Sequence, residues 1–245
     1  MPSYTSIETK KACFEIENFY NRDCVNWSGK TKDTNEPYTE IIAAYLLENF
    51  LYELSIIKTI PRKKPYKFPH SKSKTTGSTR REELFCRELV DRKLSLSQIG
   101  SCKDYQIPLK ENQDSKAGKI DLLSVDVNEK IVFILENKAP EADDTMLRCV
   151  LEIYTYYKQV NKEKLLNDFG YSGYNIIASP LVFYKSKAYN EMNDIKNRPY
   201  LKDLMDKLDI NPFYIKANDG HIITNKELED YYNRKIILDF DVYKF

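Results

Sequence analysis

Two acidic side chains and a lysine stand at neighbouring ends of two apolar segments, residues 119–126 and 130–138. A tight turn centred between residues 128 and 129 would join the segments as a hairpin and set Asp121 opposite Glu136. Directly opposed residues share one face of a sheet, with Cβ atoms about 4.5–5.5 Å apart. Because strand side chains alternate, Lys138 lies on the same face as Glu136. The spacing therefore predicts two carboxylates and an ammonium group in one place.

The chemistry of these three groups favours a divalent cation. Like charges directly opposite each other destabilise a sheet, and a hard cation such as Mg²⁺ or Mn²⁺ relieves the repulsion by binding carboxylate oxygen. Lys138 stands where it could orient a water molecule or stabilise a developing negative charge. Carboxylates, a metal ion and an ammonium group suit metal-assisted hydrolysis of a phosphodiester.

The tripeptide acid-x-Lys carries little information by itself, because it occurs five times in this sequence. Only Glu136-Asn137-Lys138 ends an apolar run and faces an acid across a hairpin. A second interpretation is an exposed strand end with ordinary polar residues. A turn displaced by one residue would also move Asp121 to the other face.

With these residues in place, the sequence resembles the PD-(D/E)XK nuclease superfamily, whose fold is restriction-endonuclease-like. The resemblance covers residues 80–185, with Asp121 as the first acid and Glu136-Asn137-Lys138 as the E-x-K triplet. It implies that Asp121, Glu136 and the carbonyl group of Asn137 bind Mg²⁺ or Mn²⁺, and that Lys138 is the catalytic lysine. Lys119-Ile120 precedes Asp121, so the proline of the motif is missing, as in many members.

The family often takes a further metal-binding acid from its first core helix. Here that helix contains Glu82, which projects near the middle of the inward face, and Glu83, which is offset by one position. The resemblance thus implies Glu82 as a third acid. The alternative is an acid in the first turn of a helix, where the helix dipole favours negative charge.

A polar series on the following helix has two interpretations. Arg148, Glu152 and Tyr156 are spaced four residues apart, and several branches of the superfamily place a polar-x-x-x-Tyr pair beside the active site. The resemblance implies a supporting role for these three residues, with Glu152 where glutamine is usual. The alternative is a solvated helix face with an ion pair between residues four apart.

Residues 58–81 form a basic stretch with three prolines, which exclude a continuous helix. The stretch contains no acid, and its nine cations are Lys58, Arg62, Lys63, Lys64, Lys67, Lys72, Lys74, Arg80 and Arg81. Arg62, Lys63, Lys64 and Lys67 could contact nucleic-acid phosphates, while the interleaved rings of Tyr66, Phe68 and His70 stack on bases. The alternative is a solvated basic linker. The remainder of the chain carries a net charge of −8, an asymmetry that would orient a polyanion.

Hydrophobic periodicity and turn residues predict an α/β fold with a mixed central sheet. We expect an N-terminal helical extension (1–57), a basic loop (58–79), a core of helix, three strands, helix and strand (80–186) and a C-terminal α/β extension of the same domain (187–245). The predicted helices are 7–20, 37–57, 80–94, 145–166, 201–208 and 225–233, and the predicted strands are 105–109, 119–126, 130–138, 175–184, 213–216 and 236–243.

Composition excludes several classes of protein. Of 245 residues, 42% are hydrophobic, and a net charge of +1 excludes a globally basic nucleic-acid-binding protein. No apolar stretch approaches the roughly 20 residues of a membrane helix, and the first residues lack an apolar signal core, so we expect a cytoplasmic protein without a membrane partner. Five scattered cysteines without C-x-x-C spacing predict reduced, packed thiols. With two histidines, no G-x-S-x-G and no Walker loop, hydrolase triads and nucleotide-binding loops are disfavoured.

The expected function is therefore Mg²⁺-dependent hydrolysis of a nucleic acid, with DNA as the favoured substrate. The main alternative is the same fold without turnover, acting as a nucleic-acid-binding or protein-interaction module. A third is an assembly protein that uses its tyrosine-rich helices as an interface. The sequence leaves a homodimer open.

Overall fold

The computed structural model describes residues 3–13, 18–70, 81–111 and 118–245. Over these residues the chain forms a mixed α/β fold, in which one seven-stranded sheet carries helices on both faces. The helices are α1 (Ser6–Lys11), α2 (Tyr38–Asn49), α3 (Leu51–Ser55), α4 (Arg81–Asp91), α5 (Met146–Gln159), α6 (Lys162–Phe169), α7 (Lys187–Asn193), α8 (Pro199–Leu208) and α9 (Asn225–Tyr232). The strands are β1 (Ser95–Leu96), β2 (Gly100–Pro108), β3 (Lys119–Asp126), β4 (Ile131–Asn137), β5 (Asn175–Phe183), β6 (Phe213–Ala217) and β7 (Phe240–Lys244).

The strands lie in the sheet in the order of the chain, from β1 at one edge to β7 at the other. Strands β1 to β4 are antiparallel neighbours, β4, β5 and β6 are parallel, and β7 is antiparallel to β6. One face packs against α5, α8 and the N-terminal helices, and the other packs against α4 and α9. Because both faces are covered, β3 and β4 are buried almost continuously instead of alternating.

The hairpin between β3 and β4 has the register predicted from the sequence. Its pairs run from Asp126↔Ile131 to Leu122↔Leu135, so the centre of the turn lies between residues 128 and 129. The Asp126 carboxylate accepts hydrogen bonds from the backbone N–H groups of Asn128 (2.9 Å) and Glu129 (3.1 Å), which fixes the turn. The bounds of β3 are those predicted.

Three predicted helices differ from the structure. The helix predicted over residues 145–166 is two helices, because Val160 is extended and the Asn161 side chain caps α6 by accepting from the Lys164 N–H group (3.0 Å). The helix predicted over 37–57 is interrupted at Phe50, where α2 ends and α3 begins. Helix α1 ends at Lys11, and Asn18, which lies within the predicted 7–20 helix, has left-handed backbone; residues 14–17 lie outside the described part.

The strand predictions differ chiefly in their ends. Strand β2 begins at Gly100, five residues before the predicted start, because a bulge between Cys102 and Asp104 interrupts its apolar alternation. Strand β7 begins at Phe240, four residues after the predicted start. The two-residue β1 and helix α7 were not predicted.

The two edges of the sheet approach each other around α4. Ser97, directly after β1, donates hydrogen bonds from its backbone N–H group (2.8 Å) and its hydroxyl group to the Asp241 carboxylate on β7. The Phe85 ring on α4 packs against both β5 and β7, with ring centres 5.2 Å from Phe183 and 5.6 Å from Phe240. The sheet is therefore curved, and its concave face encloses the core around α4.

All five cysteines are free and buried, as the sequence predicted. Among the described residues, no helix combines the length and apolarity that crossing a membrane requires.

Candidate active site

Asp121 stands where β3 and β4 separate. The last paired residues of this ladder are Leu122 and Leu135, so Asp121 and Glu136 occupy the next positions, opposite each other in the same register. The backbone N–H group of Asn137 donates to Asp121 Oδ2 (3.0 Å). A side-chain carboxylate on β3 therefore accepts this hydrogen bond where a backbone carbonyl group would accept it in a continuous ladder. Both acids are buried.

The Lys138 ammonium group bridges two carboxylates on different elements. Its Nζ atom lies 2.7 Å from Glu136 Oε1 and 2.8 Å from Glu152 Oε2 on α5. The Tyr156 hydroxyl group donates to the other oxygen of Glu152, Oε1 (2.9 Å). The side chains of Glu136, Lys138 and Glu152 are each at most 10% exposed, so this is a buried network connecting the sheet to α5.

The structure thus brings five predicted site residues together, although their catalytic and metal-binding roles stay predictions. Asp121, Glu136 and Lys138 converge as the hairpin register required. Glu152 and Tyr156 join them and are buried, so the alternative of a solvated helix face is wrong for these two residues.

Arg148 is placed differently from its two helical neighbours. Its guanidinium group pairs with Asp144 (3.2 Å), four residues before it, and lies outside the hydrogen bonds of the Lys138 network. An ion pair between residues four apart is therefore present at the start of this helix, but its acid is Asp144, just before the helix, instead of Glu152.

Glu82 lies close to the two acids without completing a metal-binding group of three. Its Oε1 atom accepts from the Ala139 N–H group (3.2 Å), just beyond Lys138, and its charge contributes to raising the pKa of Asp121. Within the described ranges, no three His, Cys, Asp or Glu side chains are arranged to hold a metal ion together. A cation here would depend on Asp121 and Glu136, with backbone carbonyl and water oxygens as its remaining ligands.

Gln106 is a site residue that the sequence analysis missed. It stands opposite Asp121 between the pairs Tyr105↔Leu122 and Ile107↔Ile120, and its Nε2 atom donates to Asp121 Oδ1 (2.7 Å). Its φ is +51°, which is the left-handed region and uncommon for a residue inside a strand. The β2 bulge sets this register, and nothing in the sequence pattern marked that bulge.

Burial and mutual repulsion change the ionisation of the acids. Burial raises the pKa of Asp121 to about 7, and Glu152 and Glu82 add to the rise, while Lys138 and the Asn137 N–H group oppose it. The pKa of Glu136 is raised well above its usual value by burial and by the charges of Asp121 and Glu152. Burial alone would lower the pKa of Lys138, but Glu136 and Glu152 outweigh it and raise that pKa, so the ammonium group stays charged.

The buried cluster has more acid than base. The Lys138 ammonium group pairs with Glu136 and Glu152, and Asp121 lies beside them, so the three acids carry an excess of negative charge when all are ionised. Glu136 Oε2 is buried and has no hydrogen-bond partner among the described residues. A divalent cation fits this arrangement, because a buried carboxylate oxygen without a partner and excess negative charge are what such an ion satisfies.

The Tyr156 ring is held beside Gly118 at the start of β3. A Cβ atom on Gly118 would lie 2.2 Å from the ring carbons and the hydroxyl oxygen of Tyr156, so only glycine leaves room for the ring. The Tyr20 ring packs edge-on against the Tyr156 ring, and the two ring centres are 5.6 Å apart. These contacts fix the hydroxyl group that holds Glu152.

The four residues of the basic stretch for which nucleic-acid contacts are predicted differ in their exposure and in their contacts within the protein. Arg62 donates to the backbone carbonyl groups of Lys64, Pro65 and Lys110, and its guanidinium group lies 4.6 Å from the centre of the Tyr66 ring. Lys63, Lys64 and Lys67 have exposed side chains. Arg62 therefore shapes the loop, while the lysines are open to a ligand; residues 71–80 lie outside the described part.

Two aromatic residues of this stretch, Tyr66 and His70, are held by contacts with the domain. Tyr66 is fully buried, and its hydroxyl group accepts from the Asn161 N–H group (3.0 Å). The His70 ring stacks on Tyr105, with centres 4.0 Å apart, and pairs with Asp104 at 2.5 Å. The expectation that Tyr66 stacks on bases is wrong, because its ring is buried, while His70 anchors the loop to the domain and its contact with a base stays a prediction.

No protein-family model matches the chain, and searches of curated proteins and of solved structures find no significant match.

Proposed function

We propose that this protein is a metal-dependent nuclease that hydrolyses phosphodiester bonds of a nucleic acid, with DNA as the favoured substrate. The observation that carries the proposal is the pair Asp121 and Glu136 at the open end of a hairpin, with Lys138 bound to Glu136 at 2.7 Å and Glu136 Oε2 unpartnered among the described residues. The order α4, β2, β3, β4, α5, β5 around this site supports the restriction-endonuclease-like core that the sequence resemblance implies.

Asp121 and Glu136 would hold the cation, assisted by the carbonyl group of Asn137. When bound, Mg²⁺ or Mn²⁺ supplies an activated water and polarises the phosphoryl oxygen. Glu82 supports the site through Ala139, the residue that follows Lys138. The oxygen atoms that would take part belong to Asp121, Glu136, Asn137 and Glu82, and all four residues lie at or beside the end of the hairpin.

Lys138 would stabilise the negative charge that develops at the phosphate. Its position is set from two sides, because Glu136 belongs to its own strand and Glu152 belongs to α5, where Tyr156 orients it. An ammonium group held this way keeps its proton, which suits electrostatic stabilisation and disfavours a role as a general base.

The experiment is Mg²⁺- or Mn²⁺-dependent nicking of a supercoiled plasmid by the wild type and by Lys138→Met. Lysine to methionine keeps the length of the side chain and removes its charge, so we expect cleavage to fall by about 10²–10³-fold, as for the loss of one oxyanion-stabilising donor. Lys103→Met, at an exposed position of β2, is the matched control and should cleave as the wild type does. Equal cleavage by both variants would contradict the role of Lys138.

One observation favours a second function, that of a catalytically silent binding module. The Lys138 ammonium group is already bound to two carboxylates, and the cluster is closed to solvent. A buried ion-pair network of this kind can also serve only to hold α5 against the sheet. Absence of cleavage in the wild type and in both variants, with binding of DNA retained, would establish this alternative.

A further inference from the structure

Five aromatic rings form a connected cluster on the outer part of the sheet, around β5, β6 and β7. The Tyr214 ring lies at the centre, with ring centres 5.0 Å from Tyr189, 5.5 Å from Tyr243, 4.9 Å from Phe245 and 6.4 Å from Tyr184. Tyr189 is nearly buried and Phe245 is 44% exposed, while the other three rings are half-buried. Together with Lys185 and Lys216, these five residues are called the aromatic–lysine patch below.

Tyr214 and Tyr243 of the patch are level with Lys138 in the register of neighbouring strands. Asn137 is level with Leu181 on β5, and the Lys138 N–H group donates to the Leu181 carbonyl group (3.0 Å), so Lys138 is level with Val182. Val182 pairs with Tyr214, and Tyr214 pairs with Tyr243. Two strand spacings separate Lys138 from Tyr214, a distance of about 10 Å.

The patch and the candidate active site also share one face of the sheet. Val182, Tyr184 and Tyr214 contact the core beneath α5, the helix that supplies Glu152 to Lys138. The patch therefore lies on the β6–β7 side of the candidate site, and the exposed Lys63 and Lys64, beside Glu111, lie on the opposite, β2 side.

Lysines give the patch a positive charge next to its rings. The Lys185 and Lys216 Nζ atoms lie 5.2 Å and 5.0 Å from the centre of the Tyr184 ring, and Lys185 is exposed. Asp241 is the nearest acid in register, opposite Lys216, but its carboxylate accepts from Ser97. Tyrosine rings beside lysine amines offer a stacking surface for a base and a contact for a phosphate.

We infer that the aromatic–lysine patch binds a single-stranded nucleic acid at the surface of the protein; the choice of a nucleic acid rests on the proposed function. A single strand fits better than a duplex, because a paired base cannot leave its stack to meet a ring. It also fits better than a second copy of this chain. A symmetric contact would set Lys185 and Lys216 against their own copies, and like charges repel.

The test is the fluorescence anisotropy of a labelled oligothymidylate added to the full chain in EDTA, so that no cleavage is needed. Tyr184→Leu and Tyr214→Leu should each weaken binding by about ten-fold, and Tyr→Phe at the same positions should retain it, because a base stacks on either aromatic ring. Tyr52→Leu, at a tyrosine that is 71% exposed on α3, is the matched control and should bind as the wild type does.

Two further measurements separate stacking from general electrostatic attraction. An oligomer of the same length built from abasic units should bind more weakly than the oligothymidylate and should not distinguish Tyr214→Leu from the wild type. Lys185→Ala and Lys216→Ala, two surface changes, should each lower the slope of log affinity against log salt by about 0.7.

The inference is overturned when Tyr184→Leu, Tyr214→Leu and both lysine variants bind the oligomer as the Tyr52→Leu control does. It is also overturned when the patch variants abolish self-association in sedimentation without altering oligonucleotide binding, since the occupant is then a second copy. Retained binding with no Mg²⁺-dependent cleavage in any assay refutes the proposed nuclease and leaves the patch as a binding surface.

Discussion

Lys138 supplies a single ammonium group among several buried carboxylates. Lys138 neutralises part of the charge of Glu136 and Glu152, and Asp121 is left with dipoles from Gln106 and the Asn137 N–H group. Breaking a buried pair by removing one partner is costly, while protonation or a cation can satisfy the remaining charge. Protonation of Asp121 or Glu136 would therefore reduce the excess negative charge of this cluster, as would the cation that we propose.

The Gln106 amide should tune the affinity of the site for a cation. Gln106→Leu removes the donor to Asp121 and has a similar volume. We expect the Mn²⁺ affinity measured by calorimetry to fall by about ten-fold or more, as for other residues that orient a metal ligand. Gln106→Asn retains an amide and tolerates the left-handed backbone, so it should restore part of the affinity. Unchanged Mn²⁺ binding in Gln106→Leu would show that the amide acts only within the fold.

The pH dependence of stability should reveal the buried Asp121. Its pKa is about 7 in the folded protein, against an ordinary value of 3.8, so the folded state binds this proton more tightly than the unfolded state. The resulting stability is fully present below about pH 4 and is lost as the pH rises to about 7. In EDTA, Asp121→Asn should remove this loss and exceed the wild type by roughly 2–4 kcal/mol at pH 8.

Urea unfolding of the two proteins at pH 5 and pH 8 measures this difference. Gln106 can turn its amide to accept from the new asparagine, so the substitution leaves no unpaired donor. Parallel loss of stability in both proteins between the two pH values would mean that Asp121 stays ionised in the folded state.

At the scale of elements, the sequence predicted the hairpin well because two independent signals agreed there. Apolar runs defined β3 and β4, and turn residues defined the centre, so the register of Asp121 and Glu136 followed. The break between α5 and α6 was missed because the apolar periodicity continues across it, although Asn161 is a residue type that caps helices. The structure adds a distant contact at the same point, since the Tyr66 hydroxyl group accepts from the Asn161 N–H group across 95 residues.

Gly118 should be intolerant of any side chain, because Tyr156 fills the space beside it. Gly118→Ala forces the ring or the start of β3 to move and should lower the free energy of unfolding by about 1–3 kcal/mol. The same change in a Tyr156→Ala background should cost less, since the clash is gone. A double-mutant cycle on urea unfolding measures the coupling, and purely additive effects would mean that the ring does not restrict this position.

Glu40 on α2 should matter for the attachment of the N-terminal helices. Its buried carboxylate accepts from the backbone N–H groups of Tyr200 (3.0 Å) and Leu201 (2.9 Å) in the first turn of α8. Glu40→Ala leaves these donors unpaired and should destabilise the protein by about 2–3 kcal/mol in thermal or urea unfolding. Glu36→Ala, at an exposed position just before α2, should have little effect and serves as the control.

The whole molecule is a curved sheet in which the candidate site residues lie in the middle and the two edges meet. Local patterns predicted a mixed α/β fold, because strands and helices alternate along the chain after residue 80. They could not show that β1 approaches β7, since Ser97 and Asp241 are separated by 144 residues and neither stands out in the sequence. The placement of Gln106 was hidden for a related reason, because a bulge in β2 decides which residue faces Asp121.

Closure of the sheet by Ser97 and Asp241 should make the two edges unfold together. Asp241→Ala removes both hydrogen bonds of the link and should cost about 1–2 kcal/mol, while Ser97→Ala removes only the hydroxyl donor, keeps the backbone N–H group and should cost about 1 kcal/mol or less. In a double-mutant cycle Ser97→Ala should add little once Asp241 is alanine. Amide hydrogen exchange should accelerate at β1 and β7 alike in either variant, while β3 and β4, which carry Asp121 and Glu136, keep their protection. Acceleration confined to the mutated edge would show that the curvature is held by the core around Phe85 and not by the link between the edges.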